Sequence, residues 1–374
     1  MIHRQVTFYL LTWKLFPQFQ SAYRSQHSTE TALVKVFSDI VDALDDGNIV
    51  ILALLDLTAA FYTVDHRILL QRLQRSFGID ETALRRFESY VIGRAQSAHL
   101  SNNTTPPRPL VCVVSQGSVL GLLLFVLYTA DIGSIIPSVV CRTRHLWKIE
   151  VYPVSTTAEW MQVNRLRLNS SKTEFLWCAT SHQSHCISAE SFTRADGEVK
   201  PEIMVRNLGA FFDSNMNTRP HVNRLVSSCY YQMRRKRSII RSLSTSMAIT
   251  LMNSFIIVRD DYCNSLLAGL PVYQTDRIPT VLNDAARLVF GGSRRDHVTP
   301  VLRDRLHWLR APQRIQFKVT LLVYKAINNL APDYTTIYCR SSSTNDRRST
   351  LQSADKAILI EPKTRLFRLL WPFR

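Results

Sequence analysis

The stretch Ile49-Val50-Ile51-Leu52-Ala53-Leu54-Leu55-Asp56 decides the fold class of this chain of 374 residues. Its aliphatic residues form a continuous run, partly β-branched, that is typical of a strand buried on both faces of a sheet. The run ends on an acid, Asp56. A carboxylate at the end of a buried strand is held rigidly and suits a Mg²⁺ ligand. The alternative is an aspartate that only caps the following turn.

Helical patterns lie on both sides of this strand. Before it, apolar residues recur with helical spacing over 33–44, and Asp45-Asp46-Gly47 ends that helix. After it, a helix is predicted over about 64–77, and Asp80 caps a further helix that continues through Tyr90. The other elements predicted up to residue 215 are short strands at 96–100 and 110–114, a helix at about 119–128, a hairpin turn at Asp196-Gly197 and a strand at 205–212.

From His221 onward the pattern is mostly helical, with turns predicted near Pro271, Gly291-Gly292 and Pro312. Strands and helices are therefore mixed up to about residue 215, and helices follow. This order predicts an α+β domain followed by an all-helical region.

The charge of the chain is strongly positive. Lys and Arg number 46 against 29 Asp and Glu, which gives a net charge of +17. Such an excess favours polyanionic partners, nucleic acid before a membrane surface, although an ordinary basic protein can have the same balance. The run Arg234-Arg235-Lys236-Arg237 fits a nuclear-localisation patch, a surface that faces a nucleic-acid duplex, or a solvated helix face.

Neither membrane insertion nor secretion is expected. No run approaches the roughly 18 uncharged apolar residues that a spanning helix needs. The apolar start, Thr7 to Phe16, is interrupted by Lys14 and followed by Pro17, so no signal peptide is predicted. The seven cysteines are scattered and odd in number, which suits free thiols in a reducing compartment, either nucleus or cytoplasm.

Short motifs follow one another along roughly residues 18 to 335. They are Gln20-Ser21-Ala22-Tyr23-Arg24, His27-Ser28-Thr29-Glu30-Thr31, Leu55-Asp56-Leu57-Thr58-Ala59-Ala60-Phe61, Ser115-Gln116-Gly117-Ser118, Trp160-Met161-Gln162-Val163-Asn164, Lys172-Thr173-Glu174, Val205-Arg206-Asn207-Leu208-Gly209, Asp261-Tyr262-Cys263-Asn264-Ser265 and His307-Trp308-Leu309. In this order they resemble the reverse transcriptase of LINE-type (non-LTR) retrotransposons, an RNA-directed DNA polymerase. The resemblance implies an RNA template, an RNA–DNA duplex and deoxynucleotides as ancestral partners, and it implies no protein partner.

The resemblance also implies a right-hand polymerase architecture. Residues 1–45 would be a fingers remnant, 46–215 a palm whose sheet lacks its catalytic hairpin, and 216–374 a helical thumb and C-terminal region. Asp56 would be the first metal-binding aspartate of the palm, with the backbone carbonyl of Leu57 beside it. The further residues matched are Phe61 at the nucleotide sugar, Gln116 and Gly117 near the nascent base pair and template, Arg24 near the nucleotide or template, and Lys172 in the motif after the active site.

One departure from the family outweighs these matches. Polymerase chemistry uses two Mg²⁺ ions about 4 Å apart, and the family holds them with the counterpart of Asp56 and an Asp-Asp pair on a hairpin. That hairpin is missing between Gly117 and Trp160. Ile149 stands where its first aspartate is expected, and a single Glu150 does not replace a pair. Mg²⁺ is therefore an ancestral cofactor that this copy is not expected to bind productively.

The sequence thus predicts a truncated reverse transcriptase domain of retrotransposon origin that is catalytically inactive. Asp131 and the pair Asp260-Asp261 are similar to parts of the missing motif. Neither lies at the position that the order of the other motifs gives to it. A non-catalytic nucleic-acid (RNA) binding protein is the first alternative, because of the positive charge. A translated relic that does not fold stably is the second.

Overall fold

The computed structural model describes residues 1–339 apart from 102, 116, 136–151, 181, 184–191, 195–196 and 294. The helices in this part of the chain are α1 (Ile2–Thr12), α2 (Thr29–Asp45), α3 (His66–Arg75), α4 (Glu81–Val91), α5 (Val119–Tyr128), α6 (Ile132–Ile135), α7 (Tyr152–Val163), α8 (Arg219–Ile240), α9 (Thr245–Met252), α10 (Val258–Asp261), α11 (Val272–Thr275), α12 (Arg277–Phe290), α13 (Ala311–Ile327) and α14 (Asp333–Thr336). Short 3₁₀ helices lie at Ser170–Lys172 and Asn264–Leu267, and π-helical turns at Asn253–Ile257 and Val301–Arg305. Within these described ranges, no helix has the length and apolar character that crossing a bilayer requires.

The strands form small paired sheets. They are β1 (Val50–Leu54), β2 (Ala95–Gln96), β3 (His99–Leu100), β4 (Asn103–Thr104), β5 (Arg108–Pro109), β6 (Glu174–Cys178), β7 (Phe192–Arg194), β8 (Gly197–Val199), β9 (Met204–Asn207) and β10 (Ala210–Asp213). Strand β1 pairs with β6, and the antiparallel pairs are β2 with β5, β3 with β4, β7 with β8 and β9 with β10. The chain therefore has the mixed helix and sheet content that was predicted.

The chain divides into two compact units. The first comprises Met1–Ser25, Ala53–Phe175 and Ala189–Pro201, and the second comprises Gln26–Leu52, Leu176–Ser188 and the chain from Glu202 onward. Each unit has a hydrophobic core of its own. The two cores are described separately below.

Helix α5 lies at the centre of the first core. It starts at Ser118, whose Oγ accepts a hydrogen bond from Gly121 N (2.9 Å) and so caps the helix. Its residues are apolar around most of the helix, which is typical of a central buried element. The Tyr128 hydroxyl at its end donates to the carbonyl of Asn164 (2.6 Å), so the polar atom of this fully buried side chain is satisfied.

Helices α8, α9 and α12 build the core of the second unit. Helix α12 buries Ile278, Val281, Leu282 and Ala285, which follow helical spacing along one stripe. The Trp308 Nε1–H donates to the side-chain oxygen of Asn253 (3.0 Å), so this large ring is buried without an unsatisfied donor. The apolar stripe of α12 therefore packs into the helical core of the second unit.

Five predicted elements around the decisive strand are confirmed. The observed elements α2, β1, α3, α4 and α5 coincide with the predicted ranges to within a few residues. The predicted burial of the strand on both faces is wrong, because β1, within the described residues, pairs only with β6 and Val50 is its one buried residue. The caps have their predicted form, since the Asp80 side chain accepts from Glu81 N (2.8 Å) at the start of α4. The proposed hairpin turn at Asp196-Gly197 lies partly outside the described residues.

The strand predicted at 205–212 is wrong in one respect, because it is a hairpin of β9 and β10. Leu208 and Gly209 form the two-residue turn with φ of 44° and 90°, and Asn207 pairs with Ala210 across it. Two positive φ values are the signature of a type I′ turn, whose twist matches that of the strands. A Cβ on Gly209 would lie 3.0 Å from the Tyr262 ring, so this position also requires a glycine for space.

One further sequence prediction is corrected. The stretch predicted as a strand at 110–114 lies outside the named strands, and Cys112 makes an isolated bridge with Asp65. The break predicted near Pro312 is confirmed, because residues 306–310 connect the π-helical turn that ends at Arg305 to α13, and Pro312 lies in the first turn of α13. A proline is tolerated there since the first helical N–H groups have no partner within the helix.

Asp260 is a buried acid in the second unit and is 4% exposed. Its neighbour Asp261 accepts two hydrogen bonds from the Arg314 guanidinium (2.8 and 2.5 Å). Arg314 approaches Asp260 only to 3.5 Å, and Asp260 Oδ2 has no hydrogen-bond partner in the described part of the chain. Burial raises the pKa of the Asp260 carboxyl to about 7, while Arg314 acts in the opposite direction.

We expect the free energy of unfolding to decrease as the pH rises from about 4 to above about 7, because the buried Asp260 carboxyl then loses its proton. Its folded pKa of about 7 exceeds the ordinary value of 3.8, so the folded state holds the proton more tightly. This stabilisation is present below the ordinary pKa and is lost as the pH rises through the folded pKa. Asp260→Asn, which cannot ionise, should therefore raise the melting temperature by several degrees above about pH 7 and change it least near about pH 4. Thermal melts followed by circular dichroism across this range measure the difference.

Asp261→Asn is the matched control. It leaves Arg314 without its best partner, so it should lower the melting temperature, without the same gain at neutral pH. An Asp260→Asn protein that is less stable than the parent at about pH 8 would contradict the assignment.

Candidate functional site

Asp56 lies directly after β1 and is fixed by a distant segment of the first unit. Residues 56–58 run antiparallel to 167–169, with Leu57 opposite Leu168. Asn169 N donates to the Asp56 carbonyl (2.8 Å), and Thr58 N donates to the carbonyl of Arg167 (2.9 Å). The main chain on both sides of Asp56 is therefore held by hydrogen bonds rather than by the turn alone.

Among the described residues, two side chains lie beside the Asp56 carboxylate. Asn169 Nδ2 donates to Oδ2 (3.2 Å), and the Lys172 ammonium lies 3.9 Å from the same oxygen. Asp56 is 46% exposed and Lys172 71% exposed, so this ion pair in solvent contributes only about 0–1 kcal/mol.

Two other acids of the first unit, Asp65 and Asp131, have partners of their own. Asp65 caps α3, since its Oδ1 accepts from the backbone N–H groups of the first turn, and its Oδ2 pairs with Arg165 (2.6 Å). Asp131 pairs with Arg72 (3.0 Å). Asp131 is therefore bound in an ion pair and does not replace the missing catalytic acids.

The donor set around Asp56 does not fit a two-ion site. A pair of divalent cations needs carboxylates that bridge them, whereas Asp56 has an amide and an ammonium beside it. Among the residues that the structure describes, no three His, Cys, Asp or Glu side chains lie close enough to share a metal ion. Asp56 and the Leu57 carbonyl remain the predicted ligands, and Glu150 lies outside the described residues.

The predicted nucleotide residue Phe61 belongs to the same unit as Asp56. Its ring packs on Phe125 of α5 with the centroids 4.9 Å apart, and its carbonyl accepts from Val114 N (2.9 Å). Gly117 has φ of 86°, and no atom lies within 4 Å of a Cβ placed on it. The backbone there is open to a close approach. Gln116 lies outside the described residues.

Arg24 makes local contacts in the N-terminal segment. Its Nη1 donates to the carbonyls of Pro17 (2.9 Å) and Gln20 (3.1 Å), and its guanidinium lies 5.0 Å from the centre of the Phe16 ring. These contacts hold residues 16–24 in a compact local conformation. The structure therefore brings Asp56 and Lys172 together but gives Arg24 partners of its own, and its predicted contact with nucleotide or template stays a prediction.

Asn169 is a site residue that the sequence analysis did not single out. It holds Asp56 through both its backbone N–H and its side-chain amide. No local sequence signal indicates this contact, because Asn169 and Asp56 are 113 residues apart in the chain.

Comparisons with known proteins agree with the motifs. Residues 1–193 match the family model described as "Reverse transcriptase (RNA-dependent DNA polymerase)". The "Probable RNA-directed DNA polymerase from transposon BS" of Drosophila melanogaster is 22% identical over 261 residues, which cover 62% of this chain and 28% of that protein. The "RNA-directed DNA polymerase from mobile element jockey" of the same organism is 28% identical over 124 residues, 33% of this chain and 13% of that protein.

The matched regions thus span less than a third of the length of either relative. The family model, by contrast, covers more than half of the present chain. The chain therefore belongs to the reverse transcriptase (RNA-dependent DNA polymerase) family, and it is of the LINE-type retrotransposon kind that its ordered motifs indicate.

Proposed function

We propose that this reverse transcriptase domain no longer polymerises DNA. One observation carries the proposal: in the described part of the chain, the polar side chains beside the Asp56 carboxylate are an amide and an ammonium. The sequence contains no Asp-Asp pair between Gly117 and Trp160, the interval in which the resemblance places it. Attack of a primer 3′-hydroxyl on a nucleotide α-phosphate requires stabilisation of both the attacking and the leaving oxygen. A single carboxylate does not hold two ions for this purpose.

The ancestral architecture is proposed as a right hand. Residues 1–45 are the fingers remnant, 46–215 the palm and 216–374 the helical thumb and C-terminal region. The strand β1 that precedes Asp56, its pairing with β6 and the helices from Arg219 onward support this division. In the ancestor, Mg²⁺ bound at Asp56 and the Leu57 carbonyl. Deoxynucleotide, template and duplex contacted Phe61, Arg24, Gln116, Gly117 and Lys172.

A primer-extension assay tests the loss of activity. The purified chain, a primed RNA template, deoxynucleotides and Mg²⁺ should give no more product than the Asp56→Ala variant, because the missing acids leave no bridged pair of ions. An active reverse transcriptase in a parallel reaction verifies the assay.

Folding is checked on the same samples. Both proteins should melt cooperatively and at similar temperatures, since Asp56 is half-exposed and its ion pair is weak. Product from the parent chain that disappears in Asp56→Ala would refute the proposed inactivity. A broad, non-cooperative melt would instead favour an unfolded relic.

A second candidate function is non-catalytic binding of nucleic acid. The net charge of +17 supports it, because lysine and arginine side chains bind phosphates without any catalytic metal. Exposed arginines at Arg234, Arg237 and Arg241 supply part of this charge in the second unit. Binding by phosphate contacts requires no polymerase site, so it survives the loss of the Asp-Asp pair.

Salt dependence tests this second function. Phosphate-dominated binding releases counterions, so the affinity for a single-stranded RNA should fall steeply with salt, by about 300-fold between roughly 50 and 200 mM if about six phosphates are contacted. Filter binding over this range gives the slope. An affinity that hardly changes with salt would exclude binding of this kind.

A further inference from the structure

A polar groove lies between helices α8 and α12 of the second unit. It has a volume of about 880 Å³ and contains the side chains of Tyr230, Arg234, Arg237, Arg241, Asp284 and Arg287. The groove lies outside residues 1–193, the part of the chain that matches the reverse transcriptase family model. Its chemistry is therefore not assigned by that match.

The spacing along α8 explains why its arginines share the groove. Arg234 and Arg237 are one helical turn apart, and Arg241 follows one turn later, just past the end of the helix. Residues at this spacing lie on one face, and the seven-residue separation from Arg234 to Arg241 spans roughly 10 Å along the axis. The three guanidinium groups therefore form a row along the groove.

The acid in the groove, Asp284, does not pair with Arg234, Arg237 or Arg241. Asp284 accepts hydrogen bonds from the Tyr230 hydroxyl (2.8 Å) and from Arg287 (2.9 Å). Burial, together with the bond to Asp284, raises the pKa of Tyr230 to about 12, so its hydroxyl remains a neutral donor. Arg234, Arg237 and Arg241 form no ion pair with any residue that the structure describes.

The neighbouring basic residues have different partners. Arg235 stacks on Tyr231 at 5.6 Å, and the Lys236 ammonium lies 3.6 Å from the centre of the Phe255 ring. Arg234 and Arg237 therefore line the groove, whereas Arg235 and Lys236 pack on aromatic rings outside it. The positive groove results from this division and not from a generally basic surface.

We propose that this groove binds consecutive phosphate groups, either of a single-stranded nucleic acid or of a free polyphosphate. The planar guanidinium fork binds a phosphate through two hydrogen bonds, and three forks in a row fit several successive phosphates. The volume lies within the roughly 300–1,000 Å³ of sites that enclose small ligands, which suits a narrow strand better than a double helix. The nucleic-acid form of this proposal rests on the second function proposed above.

The test compares two triple variants of the full chain. One replaces Arg234, Arg237 and Arg241 by Gln, which keeps helix propensity and removes three charges. The matched control replaces the exposed residues Arg75, Arg85 and Arg86 of the first unit in the same way. Fluorescence anisotropy with a labelled oligouridylate and calorimetry with inorganic tripolyphosphate give the affinities at fixed ionic strength, and thermal melts verify folding.

We expect the groove variant to lose at least about tenfold in affinity for tripolyphosphate, because charge-assisted hydrogen bonds are lost, and the control to lose less than about twofold. Tripolyphosphate should also displace the oligouridylate from the parent protein, a measurement that needs no variant. Loss of oligouridylate binding in the groove variant alone identifies a nucleic-acid strand as the ligand. Loss confined to tripolyphosphate identifies a free polyphosphate.

The two proposals fail in different ways. Equal losses in both triple variants, or binding of neither tripolyphosphate nor oligouridylate by the parent chain, would overturn the groove. In the first case salt-dependent RNA binding by the parent still supports the second function. Binding of tripolyphosphate in the groove without any RNA binding would support the groove and refute the nucleic-acid function.

Discussion

The hydrogen bonds between residues 56–58 and 167–169 are the constraint on which the candidate site depends. They join positions that are 113 residues apart in the sequence, and Asn169 contributes to them with both its backbone and its side chain. They fix the main chain where β1 ends and set the carboxylate of Asp56 beside Lys172. The main chain at Asp56 is therefore held firmly, and the polar side chains beside its carboxylate in the described part of the chain are an amide and an ammonium.

Much of the fold could be predicted from the sequence, because several elements carry independent signals. Strand β1 combines an aliphatic run with a clear end, and α5 combines an apolar run with the serine cap at Ser118. The hairpin at Leu208-Gly209 was not found, because leucine rarely adopts a positive φ.

The candidate site could be predicted only in part. The place of Asp56 just after a strand follows from local pattern, whereas its role as a metal ligand stays a prediction. The contact with Asn169 could not be derived, since periodicity carries no information about which distant segments meet. The arginines of α8 show the same limit. The sequence identifies a basic run, but only the neighbouring helix α12 and the ring of Phe255 decide which charges share a groove.

The helical conformation of the run Arg234-Arg235-Lys236-Arg237 also affects whether it can serve as a nuclear-localisation signal. A transport receptor that reads a basic peptide in extended form requires these residues to leave the helix. Unwinding this stretch of α8 would expose Met233 and Ile240, which are buried in the core of the second unit. In the folded protein these four residues are therefore presented only on the surface of a helix. They can act as an extended import signal only in a chain that has not yet folded.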